Sequence, residues 1–219
     1  MKKIFFVLMA VCLLAVAGAW FLFGGTGNGD ASKADSTKNL TTGKNNGHDW
    51  VDLGLPSGLK WATCNVGASS PSDYGDCYAW GEISTISSFY DNGCTTYGKE
   101  IGDIAGNPTY DVARAEWRGS WRLPTQAEYQ ELLDYCEWEW TTQDGYKGYK
   151  VTSKKNGNSI FLPATSSSDL GSIGHYWSAT PFESRTDGAY ILGFREDTRG
   201  TGFSYRFLVR SVRPVLQNN

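Results

Sequence analysis

Only one stretch of this 219-residue chain repeats its apolar residues with the period of a long helix. Tyr129, Leu132, Leu133 and Cys136 fall at i, i+3, i+4 and i+7, and Thr125 with Glu128 places a capping box in front of them. This spacing predicts a helix over residues 126–136 with its stripe in the core, and a shorter helix is expected at 112–117. Elsewhere the apolar residues alternate or come in short runs between turn residues. Such runs predict strands at 50–53 and 59–66, hairpin-paired across Pro56-Ser57-Gly58, and at 78–81, 149–152, 159–162, 176–179, 189–194 and 209–215. Residues 69–108 read mostly as loops. With 9 Trp, 12 Tyr and 26 Gly the chain suits short strands and structured loops, not a helical bundle. Helices early and strands late give an α+β fold class.

The N-terminus sets the compartment. After Lys2 and Lys3, residues 4–23 are almost wholly apolar, long enough at about 1.5 Å per residue to cross a hydrocarbon core of about 30 Å. Ala17-Gly18-Ala19 would suit signal cleavage, whereas Trp20-Phe21-Leu22-Phe23 continues the run as an uncleaved anchor would; the length favours the anchor. Val11 before Cys12 argues against a lipobox. The paired lysines place residues from 24 onward outside the membrane. Residues 24–47 are Gly, Ser, Thr, Asn, Asp and Lys with Leu40 as the single large apolar residue, which reads as a flexible linker. The remainder, 48–216, has the size of one domain.

Charge narrows the partners. Outside residues 1–23 the chain holds 18 basic and 23 acidic residues, a net charge of −5, which argues against nucleic acid and against adhesion to anionic membrane. The membrane is expected as a partner only through the N-terminal segment. Cys64, Cys77, Cys94 and Cys136 are an even number in an exported chain, so two disulfides are expected; four cysteines allow three pairings, and spacing does not choose among them. No C-x-x-C knuckle supports a zinc site.

Catalytic groups are sparse. His48 and His175 are the only histidines, and each is expected to be structural or exposed. Ser178 follows His175 by three residues without a nucleophile elbow. Glu137 and Glu139 alternate with Trp138 and Trp140, which reads as a solvated face opposite two packed indoles more readily than as a glycosidase pair. Glu82 is a candidate for orienting a loop. No enzyme activity, cofactor or metal is expected.

The C-terminal segment concentrates recognition chemistry. Between Phe182 and Arg213 lie six arginines, no lysine and six phenylalanines and tyrosines, the side chains that supply rigid area and directional donors at interfaces. A buried sheet seldom carries so many arginines. Arg185, Tyr190, Arg195, Arg199, Tyr205 and Arg210 are therefore the candidate ligand contacts.

The block from His48 to Ala68 resembles the start of the Fibrobacter succinogenes major paralogous domain of Bacteroidetes surface proteins. The likeness continues through Tyr78-Ala79-Trp80-Gly81-Glu82, Trp121-Arg122-Leu123-Pro124-Thr125, Gly148-Tyr149-Lys150-Val151-Thr152-Ser153 and Tyr176-Trp177-Ser178-Ala179-Thr180, closing at Ser211-Val212-Arg213-Pro214-Val215. It implies a C-type-lectin-like fold, akin to formylglycine-generating enzymes and to variable receptor proteins whose matching C-terminal stretch is diversified. Val209 departs from the glycine expected there. Cysteines like Cys64, Cys94 and Cys136 recur in similar sequences while Cys77 replaces an aromatic residue, so the resemblance favours Cys64 with Cys136 and Cys77 with Cys94. The tripeptides of calcium-dependent sugar sites are absent, and nothing matches the formylglycine-generating active-site segment. The resemblance thus implies an exported, cell-surface ligand-binding module or adhesin for an extracellular glycan or protein. A structural subunit of a surface assembly is the alternative, and an enzyme of the formylglycine-generating or glycan-processing kind a more distant one.

Overall fold

The computed structural model describes residues 41–85, 93–165 and 169–217. The apolar run at 4–23 and most of the expected linker lie outside them. Among the described residues no helix is long and apolar enough to cross a membrane. They hold two helices and eleven strands in three antiparallel sheets, an α+β architecture.

The first sheet joins the two ends of the folded region. β2 (His48–Asp52) pairs with β3 (Lys60–Ala62), as the sequence predicts, and β11 (Val215–Leu216) closes onto both β3 and β4 (Trp121–Arg122). The expected linker gives way before its end. Residues 42–45 form β1 (Thr42–Asn45), paired in register with β2, and the turn between them is Asn46-Gly47 with φ of 45° and 85°. Both residues adopt the left-handed conformation that a two-residue hairpin turn demands, and Asn-Gly meets that demand well. Polar composition did not prevent order here, because the turn and the Trp50 indole lying against Gly43 supply it.

Both expected helices form. α1 (Val112–Trp117) is capped by Asp111, whose carboxylate accepts the Arg114 amide, and it buries Val112, Ala113 and Trp117. α2 (Gln126–Tyr135) opens on the full capping box: Thr125 Oγ1 accepts from the Glu128 amide at 3.3 Å and Glu128 Oε2 from the Thr125 amide at 2.7 Å. Glu128 is also held by the fork of Arg122 at 2.6 and 2.9 Å. The helix stops one residue short of expectation, since Cys136 is already extended and starts β5 (Cys136–Gln143).

β5, β6 (Tyr146–Ser153) and β7 (Ser159–Pro163) make the second sheet; β8 (Gly174–Pro181), β9 (Gly188–Phe194) and β10 (Arg199–Tyr205) make the third, with β9 central. Along β5 the indoles of Trp138 and Trp140 are half-buried while Glu137 and Glu139 face solvent. β10 was not expected: Gly200, Thr201 and Gly202 hide its period, and pairing with β9 over seven residues makes it a strand. The expected strand at 209–215 reduces to bridges at Arg210 and Ser211 followed by β11.

The third sheet separates two apolar clusters. Because strand side chains alternate, Trp177 and Ile191 enter the cluster that holds Trp80, Trp117 and Trp121, while Tyr176, Leu192 and Phe194 enter the one that holds Trp61, Tyr129 and Leu132. Trp80 and Trp177 stitch their segments together reciprocally. The Trp80 indole donates to the Ser178 carbonyl at 2.9 Å, and the Trp177 indole donates to the Tyr78 carbonyl at 2.7 Å.

The expected disulfides are not formed. Cys64, Cys77, Cys94 and Cys136 all carry free thiols. Their surroundings differ: Cys136 is buried in the α2-side cluster, Cys94 lies against the Trp80 carbonyl and the Thr96 hydroxyl, Cys77 meets Ser211, and Cys64 meets Thr63. Burial pushes the Cys136 thiol up to about 11 and raises that of Cys77, so both stay protonated and poorly nucleophilic.

Candidate ligand-binding face

The six candidate residues do not form one site. On the third sheet Tyr190 stands opposite Phe203, whereas Phe194 stands opposite Arg199, four residues further along, or roughly 13 Å at strand rise. Arg185, Tyr190 and Tyr205 occupy one end; Arg195 and Arg199 occupy the other.

The first end is an aromatic ladder with its cation already paired. Phe182 contacts Tyr190 and Phe203 at ring separations of 4.9 and 5.0 Å, and Tyr205 continues the row to Phe207 at 5.6 Å. Arg185 lies over Phe203 and Tyr205 and grips Asp187 through two bonds of 2.9 and 2.6 Å. This pairing holds the Asp187 carboxyl below its ordinary range. Arg185 thus braces the turn before β9.

The second end is a cleft. A cavity of about 290 Å³ opens between His175, Ile173 and the β9–β10 hairpin, floored by Gly193, Gly200 and Gly202 and rimmed by Arg195, Thr198, Arg199 and Thr201. No lining residue is acidic. A Cβ placed on Gly200 or Gly202 would meet nothing within 4 Å, so their missing side chains leave the backbone bare. The His175 ring turns its Cδ2 and Nε2 edge to the Gly193 floor, at 3.4 and 3.8 Å from where a Cβ would stand. Its Nδ1 is buried and has no hydrogen-bond partner among the described residues. Arg199 stacks over Trp138 and Tyr149, 5.6 and 5.9 Å from the ring centres. Among the described residues Arg195 and Arg199 make no ion pair, although Glu196 and Asp197 sit beside them at the hairpin tip.

Arg210 is half-buried behind the cleft, where among the described residues its Nε lacks a partner and its Nη1 donates to the Val209 carbonyl at 3.2 Å. It stands near His175. Burial first, then the guanidiniums of Arg210 and Arg195, push the imidazole down to about 4, so His175 is neutral at pH 7. Between pH 6.5 and about 4 the unfolded chain binds a proton there that the folded chain refuses, and folding stability from this group is lost as pH falls. His175→Gln should remove that loss. Urea midpoints of both proteins at pH 7 and pH 4.5 check it: the wild type is expected to fall further than the variant, and parallel falls would contradict the assignment.

Two arginines of the segment are core. Arg206 is 1% exposed and Arg213 is fully buried, the latter donating to Asn65 Oδ1 at 2.8 Å and the Ala62 carbonyl at 3.3 Å. Their abundance therefore does not by itself mark a surface. Of the other groups singled out, His48 stacks on Trp117 at 3.7 Å, and Ser178 is buried with its hydroxyl donating to the Tyr190 carbonyl. Glu82 orients the loop at Thr95 by accepting from its amide and hydroxyl. His175, Thr198 and the three glycines were missed as site residues; the signal was Gly193, Gly200 and Gly202 recurring around a short charged turn.

Among the described residues no three of His, Cys, Asp and Glu come together as a metal site. No family model, no curated protein and no solved structure matches this chain.

Proposed function

We propose that this chain is an exported, membrane-tethered cell-surface module that binds an extracellular glycan or protein, built on a C-type-lectin-like domain of the major paralogous kind. The observation that carries the reading is the glycine-floored cleft at the β9–β10 hairpin, whose arginines have no carboxylate partner among the described residues. The exposed Arg195 guanidinium beside the open floor contributes nothing evident to folding, while it offers a ligand charge-assisted donors. The order of sequence blocks that resembles the major paralogous domain supports the fold, and the apolar N-terminal run supports export and anchoring.

A glycan and protein array probed with the full chain tests the function. A bound ligand is expected, with binding abolished in the Arg195→Ala, Arg199→Ala double variant and retained in Tyr205→Ala. Arg199 itself is exposed where it stacks on the half-buried Trp138 and the buried Tyr149, so its loss should cost about 1 kcal/mol of stability. No ligand on the array, or a ligand whose binding the double variant leaves intact, would contradict the assignment.

A further inference from the structure

Three features of the cleft converge on one kind of ligand. The first is charge: Arg195 and Arg199 line it, Arg210 stands behind His175, and none of the lining residues is acidic. A planar guanidinium without a partner matches a carboxylate in two parallel bonds. The second is size, since about 290 Å³ lies at the low end for small-molecule sites and suits a single six-membered ring. The third is the lining. The hydroxyl of Thr198 and the Nε2 edge of His175 offer a donor and acceptors at the rim, while Ile173 and Ile191 supply apolar wall.

We propose that this cleft binds an acidic monosaccharide unit of the uronate class, its carboxylate held by Arg195 and its ring seated on Gly193, Gly200 and Gly202. The inference rests on the binding function proposed above and adds the ligand's chemistry. Arg185 is excluded as the carboxylate partner because Asp187 already occupies its fork.

Calorimetric titration of the full chain with glucuronate, galacturonate, glucose, galactose and a hexaglutamate peptide tests the proposal. The uronates are expected to bind at least tenfold more tightly than the neutral sugars, and more weakly as salt rises. Arg195→Gln should weaken uronate binding tenfold or more. Gly202→Val should abolish it by filling the floor, with little strain, because the Gly202 backbone is ordinary strand and the added side chain enters open space. Equal binding of uronates and neutral sugars, or uronate binding untouched by Gly202→Val, overturns the proposal. Binding of hexaglutamate alone overturns the sugar assignment. If an array ligand is lost in Gly202→Val while no uronate binds, the cleft is still a binding site and only the acidic-sugar inference fails.

Discussion

Arg206→Ala is expected to destabilise the domain by about 3–5 kcal/mol, the sum of buried carbonyls left without a donor and a cavity left beside an indole. One guanidinium ties three pieces of chain: Nε donates to the Gly188 carbonyl at 2.9 Å, and Nη1 donates to the Thr96 and Lys99 carbonyls at 3.0 and 2.9 Å. Its flat face lies 4.2 Å from the centre of the Trp80 ring, itself wholly buried. Alanine would orphan these carbonyls and leave a void against the indole. Arg206→Lys keeps the charge but not the fork, so it should recover less than half of the loss. Arg206→Met fills the void and leaves the carbonyls unmet, and should fall between wild type and alanine. Urea unfolding of the four proteins measures this series. A loss below about 1 kcal/mol for alanine would mean that the 94–99 turn is held by something else.

Asp111→Ala should cost about 3–4 kcal/mol, because three amides lose one acceptor in a site without water access. Oδ2 accepts from Gly106 at 2.7 Å and from Leu123 at 2.9 Å, and Oδ1 accepts from Arg114 at 3.1 Å. The side chain thus joins the 104–107 turn, the start of α1 and the residue after β4. Asp111→Asn preserves shape but turns a donor toward amides that need an acceptor, so it should rescue little. Burial pushes the carboxyl up to about 6. The folded state therefore holds its proton more tightly than the unfolded chain, and the stability from that proton is lost as pH rises from about 4 through about 6. The gap between wild type and the alanine variant should accordingly be wider at pH 5 than at pH 7, as thermal melts at the two values would show. A gap that widens toward pH 7 would contradict this.

Local signals were legible where physics is local. The capping box of Thr125 and Glu128, the stripe through Tyr129 and Leu132, and the β-branched and aromatic runs of β7, β8 and β9 each form elements close to where the sequence places them. β1 and β10 were not, because β1 is Thr, Gly, Lys and Asn and β10 opens on Arg199-Gly200-Thr201-Gly202, with no apolar period. Each becomes a strand through a partner that already has the period, and for β1 the Asn46-Gly47 turn was the readable clue. The candidate site was half legible. Residue type located the third sheet as arginine- and aromatic-rich, but type does not say which guanidinium is buried on an indole, which grips Asp187 and which faces an open floor. That division is set by parity along β9 and β10 and by contacts more than 100 residues away, such as Arg206 with Thr96. The cysteines failed for the same reason. Even count and export describe a compartment, whereas bridging needs two sulfurs brought together: Cys64 meets Thr63 while Cys136 lies in the α2-side cluster, and Cys77 meets Ser211 while Cys94 lies against the Trp80 carbonyl.

The central claim is that ligand binds at the hairpin cleft and not along the aromatic ladder. Amide chemical-shift mapping of the isotope-labelled chain, titrated with whichever ligand it binds on the array, tests this most directly. The expected result is that the shifts concentrate at His175, Gly193, Thr198, Gly200 and Gly202, with Tyr190, Phe203 and Tyr205 left in place. Shifts centred on Tyr190 and Tyr205, or on the first sheet around Trp50, would contradict it.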